Sequence, residues 1–180
     1  MSKWKLSAVM MLLPLAASAQ GGGESVSKHF QAFVTHHTKI LIDAAESMPA
    51  DKYSYRPTAA QWTFGKIIAH MAGDNRITCS AIAGVAPDKS PEPSATASKE
   101  ELVSALKNSV TFCEQAVAKV NDKMLADSVT YYSVTYYGER ATRVSPLIGL
   151  VEDWSDHYSQ LAGYLRLNNV LPPTAKNGGM

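Results

Sequence analysis

Prolines divide this chain into four stretches in which apolar side chains return every three or four positions, and that pattern points to a bundle of helices. From Glu24 to about Ser47, Phe30, Val34, His37, Leu41 and Ala44 share one helical face. Pro49 and Pro57, within "MPADKYSYRPTAAQ", cannot continue that helix. A second helix is expected to open at Trp62 or Thr63, with the threonine hydroxyl as its cap. Its stripe is Phe64, Ile67, Ile68, Met71, Thr78 and Ile82, and Gly84 and Pro87 end it. After the Pro/Ser-rich loop "APDKSPEPSATAS", Ser98 with Glu100 and Glu101 predicts a third helix start, since a hydroxyl cap and early acids suit the positive end. That helix runs to about Asn121 through Leu102, Leu106, Val110, Cys113 and Val117. "VTYYSVTYYG" predicts an extended segment or a small hairpin. The last helix spans about Ser145 to Asn168, with Pro146 in its first turn and "VLPP" as its stop. Four stripes bury one another most simply in an all-α four-helix bundle.

The bundle is expected over residues 25–173, after a leader at 1–19 and a flexible lead-in at 20–24, with a flexible tail at 174–180. "MSKWK" is a short basic start, "LSAVMMLLPLAA" an apolar stretch too short to span a bilayer, and "ASA" a small-residue ending: the pattern of a secretory signal peptide. Cleavage after Ala19 would remove Lys3 and Lys5, leaving 15 Lys and Arg against 16 Asp and Glu. So even a balance gives no electrostatic footprint for nucleic acid or an anionic membrane. The expected mature protein is exported, in the periplasm, and free of the membrane. Its expected partner is an unidentified small molecule, and a homodimer stays open.

A polar column runs beside two of the stripes. On the last helix, Leu147, Leu150, Val151, Trp154, Tyr158, Leu161 and Leu165 form the core face. Asp153, His157, Gln160 and Tyr164 line one edge of it. On the second helix Thr63, His70 and Asp74 do the same, so each helix offers an imidazole and a carboxylate one turn apart. Two explanations are open. Neutral imidazole and carboxylate suit a divalent ion such as Zn²⁺. Alternatively, each histidine is satisfied by a nearby aspartate and only holds two helices in register.

"MPADKYSYRPTAAQWTFGKIIAHMAG" and "EDWSDHYSQLAGYLRLNNVLPP" resemble the segment entering the second helix and the closing helix of DinB-like proteins. The shared features are a proline after an aromatic-basic stretch, Trp–Ser/Thr before a helix with one histidine, and a closing helix running to Tyr-Leu-Arg and a proline pair. The resemblance covers about Ser25 to Pro173. It implies a four-helix bundle in up-down-down-up order and a divalent metal on three histidines, one from the second helix and two from the last. Some such proteins transfer low-molecular-weight thiols such as bacillithiol or mycothiol, and many have no assigned reaction. His70 matches the first ligand and His157 the third, while Asp153 stands at the second. The implied site is therefore His70, Asp153 and His157, holding zinc or nickel, with a carboxylate where the family has an imidazole.

Other residues have narrower roles. His37 either faces the same cavity or is a satisfied core histidine, whereas His29 and His36 belong to the surface. Asp74 either orients His70 or forms a solvated pair. Gln160 and Tyr164 are candidates for the surroundings of the site. Tyr131, Tyr132, Tyr136 and Tyr137 either roof a pocket or cover the open end of the bundle, and Arg166 suits the negative end of the last helix. Cys79 and Cys113 either pair or stay as buried thiols. In a simple hairpin they would be offset, and the long Pro-rich loop would have to absorb the difference. No Gly-rich phosphate loop, G-x-S-x-G elbow or H-E-x-x-H occurs, which removes the grounds for a nucleotide binder or serine hydrolase. Two functions remain: a metal-dependent hydrolase or transferase, and a non-catalytic binding or structural bundle with a degenerate site. Export favours hydrolysis over thiol transfer, because the thiol cofactors are cytoplasmic.

Overall fold

The computed structural model describes residues 25–86, 90–131 and 140–176. The signal segment, the lead-in, Pro87, Tyr132, Tyr136, Tyr137 and residues 177–180 lie outside the described residues. Four long helices dominate: α1 (Val26–Ser47), α2 (Phe64–Ala83), α3 (Lys99–Ala118) and α4 (Val144–Leu167). Two short strands, β1 (Ser128–Thr130) and β2 (Arg140–Thr142), pair antiparallel ahead of α4, and one further turn of helix, α5 (Pro173–Lys176), follows it. The expected bundle is therefore the fold, and the strands flank the Tyr-rich segment.

Local chemistry sets the ends. The Thr63 hydroxyl accepts from the Lys66 backbone N–H at 3.1 Å, starting α2 where the sequence predicts. Ser98 and Glu101 form a reciprocal capping box on α3. Gly84 closes α2 in the left-handed region at φ 72°, which a β-carbon would penalise. α3 stops at Ala118, short of the predicted Asn121, because the Asn121 side chain instead caps a 3₁₀ turn over Asp122–Met124. Residues 174–176, predicted as part of a flexible tail, instead belong to α5. The Tyr158 and Thr174 hydroxyls lie 2.8 Å apart and the Thr174 N–H donates to Tyr158 at 3.1 Å, so α5 is docked.

Side-chain pairs fix the helix directions. Asn75 meets Ser109 and Cys79 meets Cys113, so positions ascend together and α2 runs parallel to α3. Gln31 bonds the carbonyl of Val120 while Lys107 pairs with Glu46, which makes α1 antiparallel to α3. Trp62 joins Tyr164 and Ile82 joins Arg143, so α2 and α4 are antiparallel. The order is up-down-down-up, and α1 and α2 each pack on both α3 and α4. Parallel α2 and α3 also remove the offset expected of a hairpin. Cys79 and Cys113 lie at nearly equal distances from the starts of their helices and are bridged, with Cα atoms 5.1 Å apart.

The core is apolar with one polar hub. Trp154, Phe64, Leu41, Met71, Leu106 and Leu150 are among the large side chains almost wholly removed from water. Buried Asn75 accepts from the Trp154 indole N–H at 2.7 Å and donates to the Ser109 hydroxyl at 3.0 Å, tying α2 to α4 and α3. At the far end of α2, the buried Arg143 guanidinium donates to the Ile82 carbonyl and lies 3.4 Å from Asp127, placing positive charge at a helix C-terminus. Tyr131 is buried there against Ala81, Val129 and Ala141. Its hydroxyl lies over Gly149, where an added β-carbon would come within 2.5 Å. Tyr131 thus covers the end where α2 finishes. Among the described residues, no helix is long and apolar enough to cross a membrane.

Candidate metal centre

α2 and α4 cross so that the polar edges of their stripes face each other. His70 projects from the first half of α2, and Asp153 and His157 lie one turn apart on α4. Asp153 Oδ1 is 3.2 Å from His157 Nε2 and 3.8 Å from His70 Nε2. One ligand atom from each of the three residues falls within 4.8 Å of the others. Atoms bound to one zinc ion at about 2.0–2.1 Å and at the tetrahedral angle lie roughly 3.3 Å apart. The observed spacings bracket that value. Two buried atoms here lack a protein partner, Asp153 Oδ2 and His157 Nδ1. Such orphans are rare in native interiors and mark a place where a ligand or ion completes the bonding. The donor set, the spacing and the orphaned Asp153 Oδ2 fit a divalent ion, whereas His157 Nδ1, on the ring edge opposite Nε2, faces Asp156.

The surroundings are aromatic on one side and acidic on the other. The Trp62 ring stacks at 25° on His157 with centroids 6.1 Å apart, and meets the His70 ring edge-on at 5.0 Å. Its carbonyl accepts from the buried Tyr164 hydroxyl at 2.9 Å. Tyr164 therefore acts through Trp62, anchoring the loop that carries the indole. Gln160 donates to Asp156 at 2.7 Å, and Asp156 lies 3.8 Å from His157 Nδ1. Gln160 thus reaches the site only through Asp156. Asp74 accepts from Thr78 at 3.1 Å and makes no hydrogen bond to His70. It is still close enough for its charge to act on His70, Asp153 and His157.

His37 is not brought to this group. Its ring stacks on Phe33 at 3.7 Å, and its Nδ1 is 3.1 Å from the Phe33 carbonyl. Burial lowers its pKa, with that carbonyl opposing and His36 assisting, so it is a core-edge histidine satisfied on its own helix. The cavity role expected as one option for His37 is not what the structure shows, because α1 lies diagonally across from α2.

Burial alone would lower the His157 pKa. The hydrogen bond and charge of Asp153, with the charges of Asp156 and Asp74, outweigh it and raise the value. Burial, then repulsion from Asp153, raises the Asp74 carboxyl, while His70, the Thr78 hydroxyl and His157 partly offset this. The sign for His157 gives a prediction. A histidine whose folded pKa is raised contributes stability that is complete below its unfolded value, about 6.5, and disappears as pH climbs through the folded one. With chelator present, melting temperature should fall as pH rises above about 6.5, and His157→Gln should flatten that slope. An unchanged slope would remove His157 as its source. Asp74 acts in the separate acidic window of a carboxyl.

Sequence reasoning missed two neighbours. Trp62 was legible only as the residue before a cap, although its adjacency to Thr63 was part of the resemblance. Asp156 gave no signal, because it sits off the polar column on an exposed face.

A family model described as the DinB superfamily matches residues 34–160. Among solved structures, a DinB-like protein from Bacillus cereus is similar at TM-score 0.65 and 15% identity, covering 83% of this chain and 96% of its own. A DinB-like protein from Bacillus subtilis gives 0.62 at 16% identity, covering 78% and 92%. A conserved protein from Enterococcus faecalis gives 0.61 at 15%, covering 81% and 98%. No curated protein matches. At such identities the solved structures speak to fold alone, and it is the match over residues 34–160, joined to the up-down-down-up bundle, that settles descent: this chain belongs to the DinB superfamily.

Proposed function

We propose that this protein is a divalent-metal-dependent hydrolase acting outside the cytoplasm, with zinc or nickel held by His70, Asp153 and His157. The observation carrying the reading is the convergence of two Nε2 atoms from separate helices on one Asp153 oxygen, beside the buried Asp153 Oδ2 that lacks a hydrogen-bond partner. A bound divalent ion supplies Lewis acidity, polarising a carbonyl and making water a better nucleophile. The chain contributes the rest. His70 and His157 offer neutral nitrogen, and Asp153 offers a charge that tempers the acidity of the ion. Trp62 forms an apolar wall that excludes water from the imidazole faces. Asp74, with its raised affinity for a proton, holds or releases one at its carboxylate beside the histidines.

Export rests on the leader-like N-terminus and on the Cys79–Cys113 bridge, since disulfides persist in oxidising compartments. Hydrolysis is preferred to thiol transfer on the same ground. A second reading, a non-catalytic bundle, has one observation in its favour: Asp153 already pairs with His157 at 3.2 Å, which can hold α4 in place without an ion.

Metal analysis and melting separate the two. Zinc or nickel at about a thousandfold over Kd should stabilise by about 4 kcal/mol. That raises the melting temperature by roughly 8–16 °C, and His70→Ala should abolish the rise. Protein with no stoichiometric ion and no thermal response would defeat the metal reading. A bound ion with no turnover of esters or amides would favour the bundle reading.

A further inference from the structure

We infer that Asp156 is a positioning residue of the metal centre: it accepts the Nδ1–H of His157 and so keeps the Nε2 lone pair for the ion. This rests on the metal reading proposed above and adds a residue that never touches the ion.

The two edges of the His157 ring face different carboxylates. Nε2 lies 3.2 Å from Asp153 Oδ1, the oxygen it shares with His70 Nε2. Nδ1, on the opposite edge, lies 3.8 Å from Asp156 Oδ2. A neutral imidazole carries one proton, and a nitrogen that ligates a cation must be the one without it. The proton therefore belongs on Nδ1, and which nitrogen holds it is set by the hydrogen bond made there. Asp153 works against this choice, because in the absence of an ion its carboxylate draws the proton to Nε2. An acceptor at Nδ1 tips the balance back. Nδ1 sits on a side chain only 9% exposed and is buried with no hydrogen-bond partner, a costly state for an N–H.

Asp156 can take that proton's hydrogen bond. Its gap to Nδ1 exceeds hydrogen-bond reach by roughly 1 Å, and its side chain is 68% exposed, which leaves it room to turn. Gln160, one turn further along α4, donates to the same Oδ2 at 2.7 Å. A carboxylate oxygen accepts more than one hydrogen bond, so Gln160 steadies Asp156 without filling it. Ligating histidines commonly hand their second N–H to a carboxylate, which fixes the ring and makes the other nitrogen a stronger donor.

Competition with a chromophoric chelator measures zinc affinity of the full chain, and ¹⁵N–¹H NMR of the zinc-loaded protein reads the His157 ring. Asp156→Ala should weaken zinc binding by about tenfold or more. Asp156→Asn removes the charge and keeps an acceptor. A neutral hydrogen bond has about half the strength of a charged one, so this variant should lose only about threefold. In the unaltered protein His157 should carry its proton on Nδ1, with a downfield signal that exchanges slowly with water. In Asp156→Ala that proton should move upfield and exchange faster. An asparagine variant that loses as much affinity as the alanine one would show a charge acting at a distance, and would overturn the inference. So would either an affinity or an Nδ1 proton unchanged in Asp156→Ala. All of these results leave the metal reading intact. Unaltered protein that binds no zinc overturns the metal reading, and this inference with it.

Discussion

Trp154→Ala should lower stability by about 4–8 kcal/mol, a larger loss than any other single replacement considered for this bundle. Truncating a buried aromatic costs about 3–5 kcal/mol in transfer and cavity terms. The Trp154 side chain is fully buried and contacts the face shared by α1, α2 and α4. A further roughly 1–3 kcal/mol follows because the buried Asn75 carbonyl loses its 2.7 Å indole donor. In a chain of this size the melting temperature should fall by roughly 8–32 °C. Trp154→Phe separates the terms, since it keeps most of the volume and removes only the N–H. Urea and thermal unfolding read both variants. A loss below about 2 kcal/mol for alanine would show that the Trp154–Asn75 contact is not the hub of the core. The same change should weaken metal binding, because Asp153 and His157 flank Trp154 on α4 and depend on its registry with α2.

The second large effect concerns the disulfide. The bridge closes a loop across 34 residues, so removing it should cost about 4 kcal/mol through the freedom returned to the unfolded chain. The topology leads to the same expectation. α2 and α3 are parallel, so no short turn holds their distal ends together, and the bridge supplies that restraint. Cys79→Ala with Cys113→Ala should therefore melt roughly 8–16 °C lower than the oxidised protein. Reductant should destabilise the unaltered protein comparably and leave the double variant unaffected. Equal melting temperatures with and without reductant would contradict the structural role of the bridge.

What the sequence revealed follows from where each signal resides. The four helices, the Thr63 and Ser98 caps and the Gly84 stop are local, and periodicity and capping chemistry display them directly. The candidate ligands were legible for the same reason, as histidine and aspartate one turn apart at the edge of a stripe show in the helical period. Their convergence across α2 and α4 was not, and rested on resemblance. Trp62 escaped because it lies in a loop, fixed by a Tyr164 hydroxyl 102 residues away. His37 stayed open between two roles because a histidine on an apolar stripe can face a cavity or turn back on its own helix, and this one turns back toward Phe33. The docked α5 turn depends on Tyr158, which the apolar stripe had already assigned to the core.

X-ray absorption at the zinc edge of the loaded protein tests the central claim most directly. The account predicts one ion per chain with two imidazole nitrogens and a carboxylate oxygen at about 2.0–2.2 Å, and loss of one nitrogen in His70→Ala. No stoichiometric ion, or a coordination sphere that His70→Ala and Asp153→Ala both leave unchanged, would contradict it.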